Sequence, residues 1–287
     1  VVEELFLGRQ MDREVARAKF VGERVQELGA NVVTPTLVRD ADTDEPICIY
    51  APLPEGVADL RRAVRGVTQF NGVNRAGSGY RTKSATFGTA PRKPVFQREG
   101  CASTAVKRDF PEQHSVLESY ADRCQAMLGE WLPEMVTASA DESAAIKPDW
   151  RLTPDTFWTS GVINQTVSMP YHTDSSNYDV WSAMPVVRRG TRGGYLHVPE
   201  YDVVLECRDG WCAWFPGFRL VHGVTPITRS SPDGYRYSVV FYALRGMRDC
   251  ATTAMEQQYA KEMRTERERA HARELTERGT DEGHGEG

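Results

Sequence analysis

The texture of residues 155–244 constrains this chain more than any other feature. Short runs rich in β-branched and aromatic residues, "TFWTSGVIN", "GGYLHVP", "DVVLEC", "WCAWF", "RLVHGVTPI" and "YRYSVVFYAL", follow one another across polar, Gly- and Pro-bearing turns. Strands spaced this regularly fold as a β-sandwich or barrel. The flanking segments carry helical spacing instead, so the expected class is α+β, a β core with flanking helices. Three parts are predicted. Residues 1–150 form an N-terminal helical and β extension with a basic segment, packed on the core; 151–250 form the core; 251–287 form a charged helix and a disordered tail.

Within the flanks, Val15, Phe20, Val21 and Val25 predict a helix over 11–29, ending near Gly29. The runs "NVVTPTLVR" and "PICIYAPL" read as a hairpin about the acidic turn "DADTDE". Residues 66–106, rich in Gly, Thr and Ser, read as irregular strands and loops. A helix is expected over 112–136, ended or kinked by Pro133, with Val116, Tyr120, Cys124, Met127 and Trp131 on one side. In the helix over 254–278, Met255, Tyr259 and Met263 form a stripe expected to dock on the core, and "GTDEGHGEG" is expected to be disordered.

No apolar run approaches the roughly 20 residues of a membrane helix, and no signal peptide is visible. The expectation is a monomeric cytoplasmic protein with no membrane partner. Six cysteines without a C-x-x-C pair predict reduced, mostly buried thiols. Formal net charge is −5, yet Arg61 to Arg108 holds eleven basic residues against one acid. Such a segment reads either as a phosphate-facing surface or as a solvated face paired with acids elsewhere.

The chemistry begins at "MPYHTDSSNY". His172 and Asp174 stand at i and i+2, positions that share one face of a strand. A metal needs a third ligand. His271 and His284 lie in the tail and His114 opens a remote helix, whereas His197 and His222 lie inside the β region. His222, fifty residues beyond His172 in "FRLVHGVTP", completes the set. Two histidines and one carboxylate on one face of an octahedron leave three positions open, the arrangement of non-haem Fe(II) oxygenases. On "YRYSVVFYAL", Arg236 and Ser238 share a strand face, and a guanidinium beside a hydroxyl suits a carboxylate held bidentately. A dicarboxylic co-substrate, 2-oxoglutarate, fits that pair, with Arg81 a second candidate anchor. Fe(II), 2-oxoglutarate and O₂ are the expected cofactors.

"YHTDSSNY", "GGYLHVPEYDVVLECRDGWCAWFPGFRLVHGVTPI" and "YRYSVVFYAL" together resemble the TET/JBP family of iron- and 2-oxoglutarate-dependent hydroxylases of DNA pyrimidines. The resemblance covers about residues 155–245 and is weak over 1–150. It implies a double-stranded β-helix, a jelly-roll relative, and oxidation of the C5 methyl of 5-methylcytosine or thymine in DNA. It implies His172, Asp174 and His222 as iron ligands and Arg236 as the carboxylate anchor. Asn177 falls where the TET branch contacts the target base, and Tyr242 where it stacks an aromatic on the flipped base. Leu244 stands where that branch has a further histidine. The cysteine-rich zinc-binding extension of animal members is absent, which suits a compact bacterial or phage member.

Such a substrate must leave the base stack before its methyl is reached. Arg92 and Lys93 of the basic segment, with Arg188 and Arg189 of "RRGTR", are candidate phosphate contacts. Three readings compete. The first is a methylated-duplex DNA hydroxylase, its target 5-methylcytosine or alternatively thymine. The second is a small-molecule or protein hydroxylase on the same core, and the third a non-enzymatic DNA-binding module.

Overall fold

The structure is a computed structural model that describes residues 2–53, 55–74, 81–92 and 100–281; the side chains of 71–74, 81–82 and 276–281 lie outside the description. The chain opens with β1 (Glu3–Leu7) and α1 (Arg13–Phe20), then the hairpin β2 (Thr36–Asp40) and β3 (Pro46–Pro52). There follow α2 (Ala58–Gly66), β4 (Asn71–Asn74), β5 (Arg81–Pro91), β6 (Cys101–Ser103), α3 (Ala105–Asp109), α4 (Pro111–Trp131) and α5 (Pro133–Glu142). The predicted β region supplies β7 (Ser160–Gln165), β8 (Met169–His172), β9 (Ser182–Arg189), β10 (Thr191–Gly193), β11 (Leu196–Val198) and β12 (Val203–Leu205). It continues through β13 (Trp211–Phe215), β14 (His222–Val224), β15 (Ile227–Arg229) and β16 (Tyr235–Tyr242), before α6 (Thr253–Asp281).

Two sheets organise the described residues. The larger has the order β1-β2-β3-β13-β9-β16-β7-β5-β4, with β6 paired to β5; the smaller is β12-β11-β14-β8. A two-stranded ribbon, β10-β15, closes one end. Pairing is antiparallel apart from β1 on β2. The arrangement is the double-stranded β-helix with flanking helices. Strands from the first 150 residues bond directly into the larger sheet, β3 on β13 and β5 on β7.

Period-two alternation on β16 explains the layering. Tyr237, Val239 and Phe241 join one apolar cluster with Leu60 and Val64 of α2 and Leu117, Tyr120, Cys124 and Leu128 of α4. Ser238, Val240 and Tyr242 point the other way, toward the smaller sheet. A second cluster, with Met184, Val186, Leu196, Val198, Leu205 and Phe215, fills the space between the sheets. Trp214 is fully buried in the first cluster and donates its indole N–H to Cys124 O at 2.9 Å. Truncating such a side chain to Ala costs about 3–5 kcal/mol.

Several expectations are corrected here. The first helix stops at Phe20 because Gly22 takes φ +92°, and the chain then runs beside β8, Gly22 donating to Tyr171 O and Tyr171 to Glu23 O. His114 is not remote from the β region: buried against Phe87, its Nε2 accepts the Gly88 N–H at 3.1 Å. Cys101 and Cys250 form a disulfide rather than two thiols, while Cys48, Cys124, Cys207 and Cys212 are buried and free. The stripe on α6 does not dock: Met255 and Tyr259 are exposed. Glu256 holds that helix instead, accepting the N–H groups of Gly100 and Ala251. The helix runs on to Asp281, into the segment expected to be disordered; residues 282–287 lie outside the described residues. No described helix is long and apolar enough to cross a membrane.

Candidate metal centre and substrate cavity

His172 ends β8 and His222 opens β14, directly opposite each other in the antiparallel pair. Their ring centroids lie 4.3 Å apart. Each Nδ1 faces a backbone carbonyl two residues back, Pro170 O at 2.8 Å and Leu220 O at 2.9 Å. A carbonyl only accepts, so Nδ1 carries the proton and Nε2 keeps its lone pair for a metal. Asp174 lies past the strand end, so the pair is not assembled by strand alternation alone. The turn fixes it: Asp174 N–H donates to Gly217 O, and Asn177 N–H donates to Asp174 O, both at 2.9 Å. The carboxylate oxygens stand 3.7 Å from His172 Nε2 and 3.8 Å from His222 Nε2. One ligand atom from each residue lies within 4.8 Å of the others. Two nitrogen lone pairs and a carboxylate fit a divalent metal with positions left open to incoming ligands.

These residues line a cavity of about 820 Å³, with Asn164, Asn177, Ser238, Tyr242 and Leu244 on its wall. Exposed Ser175 and Ser176 mark its open end. Arg236 lies deeper on the same strand face, 1% exposed, and its Nε and Nη2 have no hydrogen-bond partner. Burial pushes the guanidinium pKa down from its ordinary value. No carboxylate partner faces it among the described residues, and a buried charge without a counter-charge costs several kcal/mol, so its surroundings suit an anion. Gly194 makes room for it: a Cβ there would stand 2.7 Å from Arg236 Cδ and Nε. The residues therefore fit both an iron ion and a dicarboxylate.

The structure brings together His172, Asp174, His222, Ser238, Asn177 and Tyr242, with Arg236 next along the strand. It separates the basic candidates. In register, Arg188 opposes Arg236, at the end of β16 away from Tyr242, six residues or roughly 20 Å along the strand. There Arg188 donates to Cys207 O and Thr191 O, and Arg189 is exposed beside it. Arg61 sits at the same closed end, bonded to Asp209 and Tyr235. Arg92 follows β5 on the opposite side, where Pro91 packs against Gly246. Lys93 and the side chain of Arg81 lie outside the described residues. His197 is not among the clustered ligand atoms; Tyr171 OH lies 2.6 Å from its Nδ1 and Asp202 Oδ1 3.5 Å from its Nε2.

Sequence reasoning missed Gly217 and Arg245. A Cβ at Gly217 would fall 2.5 Å from Asp174 Oδ2. Arg245 donates to Asn177 O at 3.2 Å, and its guanidinium lies 5.0 Å over the Phe218 ring. The Pro-Gly turn of "FPGF" was the one available signal.

The chain is similar to solved structures, and the first of them shares its fold. NgTET1 in complex with 5mC DNA aligns with a TM-score of 0.57 at 14% identity, over 87% of this chain and 95% of that one. A 2OG-Fe(II) oxygenase family oxidoreductase from Burkholderia pseudomallei aligns at 0.45 and 15% identity, over 85% and 99%. The viral collagen prolyl hydroxylase vCPH from Paramecium Bursaria Chlorella virus-1, in its 2OG complex, aligns at 0.38 and 10% identity, over 68% and 94%. No family model and no curated protein matches the sequence. The class that fold and site define is the double-stranded β-helix with an open two-histidine, one-carboxylate centre. Within it, NgTET1 is a structure this chain is similar to across nearly all of its length.

Proposed function

We propose that this chain is an Fe(II)- and 2-oxoglutarate-dependent dioxygenase that hydroxylates the C5 methyl of 5-methylcytosine in DNA. One observation carries the reading. The His172–Asp174–His222 set opens on a cavity walled by Asn177 and Tyr242, with Arg236 buried behind it, its Nε and Nη2 without hydrogen-bond partners. His172, Asp174 and His222 hold the metal, and Arg236 takes the distal carboxylate of 2-oxoglutarate. Iron with 2-oxoglutarate and O₂ supplies the oxidation, in which the co-substrate leaves as succinate and CO₂ and the methyl gains a hydroxyl. Tyr242 stacks on the flipped base and the Asn177 amide bonds to its edge. The family resemblance of residues 155–245 and the likeness to NgTET1 support DNA as substrate.

Nucleoside mass spectrometry tests this after incubating methylated and unmethylated duplex DNA with the protein, Fe(II), ascorbate and 2-oxoglutarate. The expected product is 5-hydroxymethylcytosine from methylated DNA only. Succinate without any modified nucleoside would overturn DNA as substrate, and 5-hydroxymethyluracil would move the target to thymine.

A further inference from the structure

We infer that Arg245 is a positioning residue that buckles together the two loops holding the metal ligands; the inference rests on the metal reading above. Residues 176–178 lie against 243–245 as a short antiparallel pairing, with Tyr178 N–H donating to Ala243 O at 2.8 Å and Arg245 N–H to Ser176 O at 3.1 Å. The Arg245 side chain then returns over this pairing to Asn177 O. The amide of that same Asn177 donates to Asp174 O. On its other side the guanidinium rests on Phe218, the neighbour of the Gly217 whose carbonyl receives the Asp174 N–H. A closed circuit results: Arg245 to Asn177, Asn177 to Asp174, Asp174 to Gly217, and Phe218 back to Arg245.

Asp174 is the ligand that needs such a device. Both histidines sit on paired strands, whereas Asp174 stands in a turn whose position depends on its neighbours. A planar guanidinium suits the task, donating in its plane while stacking on its face. Arg245 is exposed, so core burial does not account for it.

The charge of Arg245 makes the test sharp. Removing a cation near the centre would, through space, tighten binding of another cation. A buckle predicts the opposite sign. The full chain and its Arg245→Ala, Arg245→Lys and Arg248→Ala variants are titrated anaerobically with Co(II) and followed by visible absorption. Arg248 lies on the same short 3-10 helix, Arg245–Asp249, is exposed, and forms an ion pair with Asp249. Arg245→Ala is expected to raise the metal Kd about 10-fold, as loss of a group that orients a ligand does, and to alter the Co(II) band shape. Arg245→Lys should recover part of the loss, and Arg248→Ala should leave Kd unchanged or tighter. An Arg245→Ala Kd within twofold of wild type overturns the inference, as does an equal loss in Arg248→Ala. If Arg245→Ala does not fold, Phe218→Leu, which removes the stacked ring alone, decides by the same criterion. A wild-type chain that takes up no metal overturns the metal reading itself, and this inference with it.

Discussion

Replacing Gly217 with alanine isolates the position of one ligand oxygen. The added Cβ would lie 2.5 Å from Asp174 Oδ2, 3.4 Å from its Cγ and 3.3 Å from Phe215 Cε2. Carbon atoms in ordinary contact keep about 3.5 Å, so the carboxylate oxygen must retreat by about 1 Å. The ring contact is only slightly tight. Gly217 does not use a left-handed φ, so alanine is compatible with the backbone there. A compatible Gly→Ala change stabilises by about 0.4–1 kcal/mol through the unfolded chain, which offsets part of the local crowding. Thermal stability is therefore expected to change little. The ligand, however, leaves its place between the two Nε2 atoms. A 1 Å misplacement can cost about 100-fold in rate, and disturbing what orients a ligand about 10–100-fold in metal affinity. Metal titration, circular-dichroism melting and 2-oxoglutarate-dependent succinate formation, run on the same preparation, separate the effects. A folded Gly217→Ala protein with wild-type metal affinity and turnover would refute the assignment of Asp174.

Arg236→Lys should raise the KM for 2-oxoglutarate at least about 10-fold, since a point charge replaces a buried fork; an unchanged KM would place the carboxylate elsewhere. Tyr242→Ala should spare binding to unmodified duplex while lowering hydroxylation, by about 1–3 kcal/mol if single-strand stacking values transfer; equal activity on methylated DNA would make the tyrosine structural. Asp40 is buried and held below the usual carboxylate range chiefly by the Tyr201 hydroxyl at 2.7 Å, then by the N–H groups of Asp42 and Thr43. A depressed carboxylate stabilises the fold above its unfolded pKa of about 4 and loses that contribution as pH falls through the folded value. Asp40→Asn should thus lower Tm at neutral pH and flatten its fall on acidification; parallel Tm–pH curves for the two proteins would contradict this.

What the sequence made legible was whatever local spacing encodes. The hairpin at 36–52, the break at Pro133 and the succession of strands after Asp155 follow from turn residues and period-two patterning, and each is present. The His172 and Asp174 pair was visible as spacing, and His222 and Arg236 as later positions on strands. Gly217 and Arg245 were not, because their importance lies in which loops approach one another across the open end of the sheets. The Cys101–Cys250 disulfide spans 149 residues, and no spacing rule reaches that far. The α6 stripe misled for a related reason. Apolar periodicity states that a helix has a face, and the carboxylate of Glu256, not Met255 or Tyr259, is what meets the body of the protein.

The basic segment shows how a count of charge differs from a surface. Arg61 is committed to Asp209, Arg62 to Asp59, Arg65 stacks on Tyr235, and Lys107 reaches Glu118. Part of the apparent excess is thus neutralised or packed, and Arg61 and Arg65 gather where β16 begins, the end remote from the cavity's opening. A phosphate chain presenting a base to His172 and Asp174 has to pass near Ser175, Ser176 and the segment after Tyr242. Of the four basic candidates the sequence singled out, Arg92 is the one whose described position lies on that side, through the contact of Pro91 with Gly246. Arg188 and Arg189 act on the opposite end, where Arg188 ties the β9 terminus to Cys207 and Thr191. The same fold therefore uses its arginines in two ways. At the closed end they fasten strands around the buried Arg236, whereas Arg92 alone of the described candidates lies toward the open end.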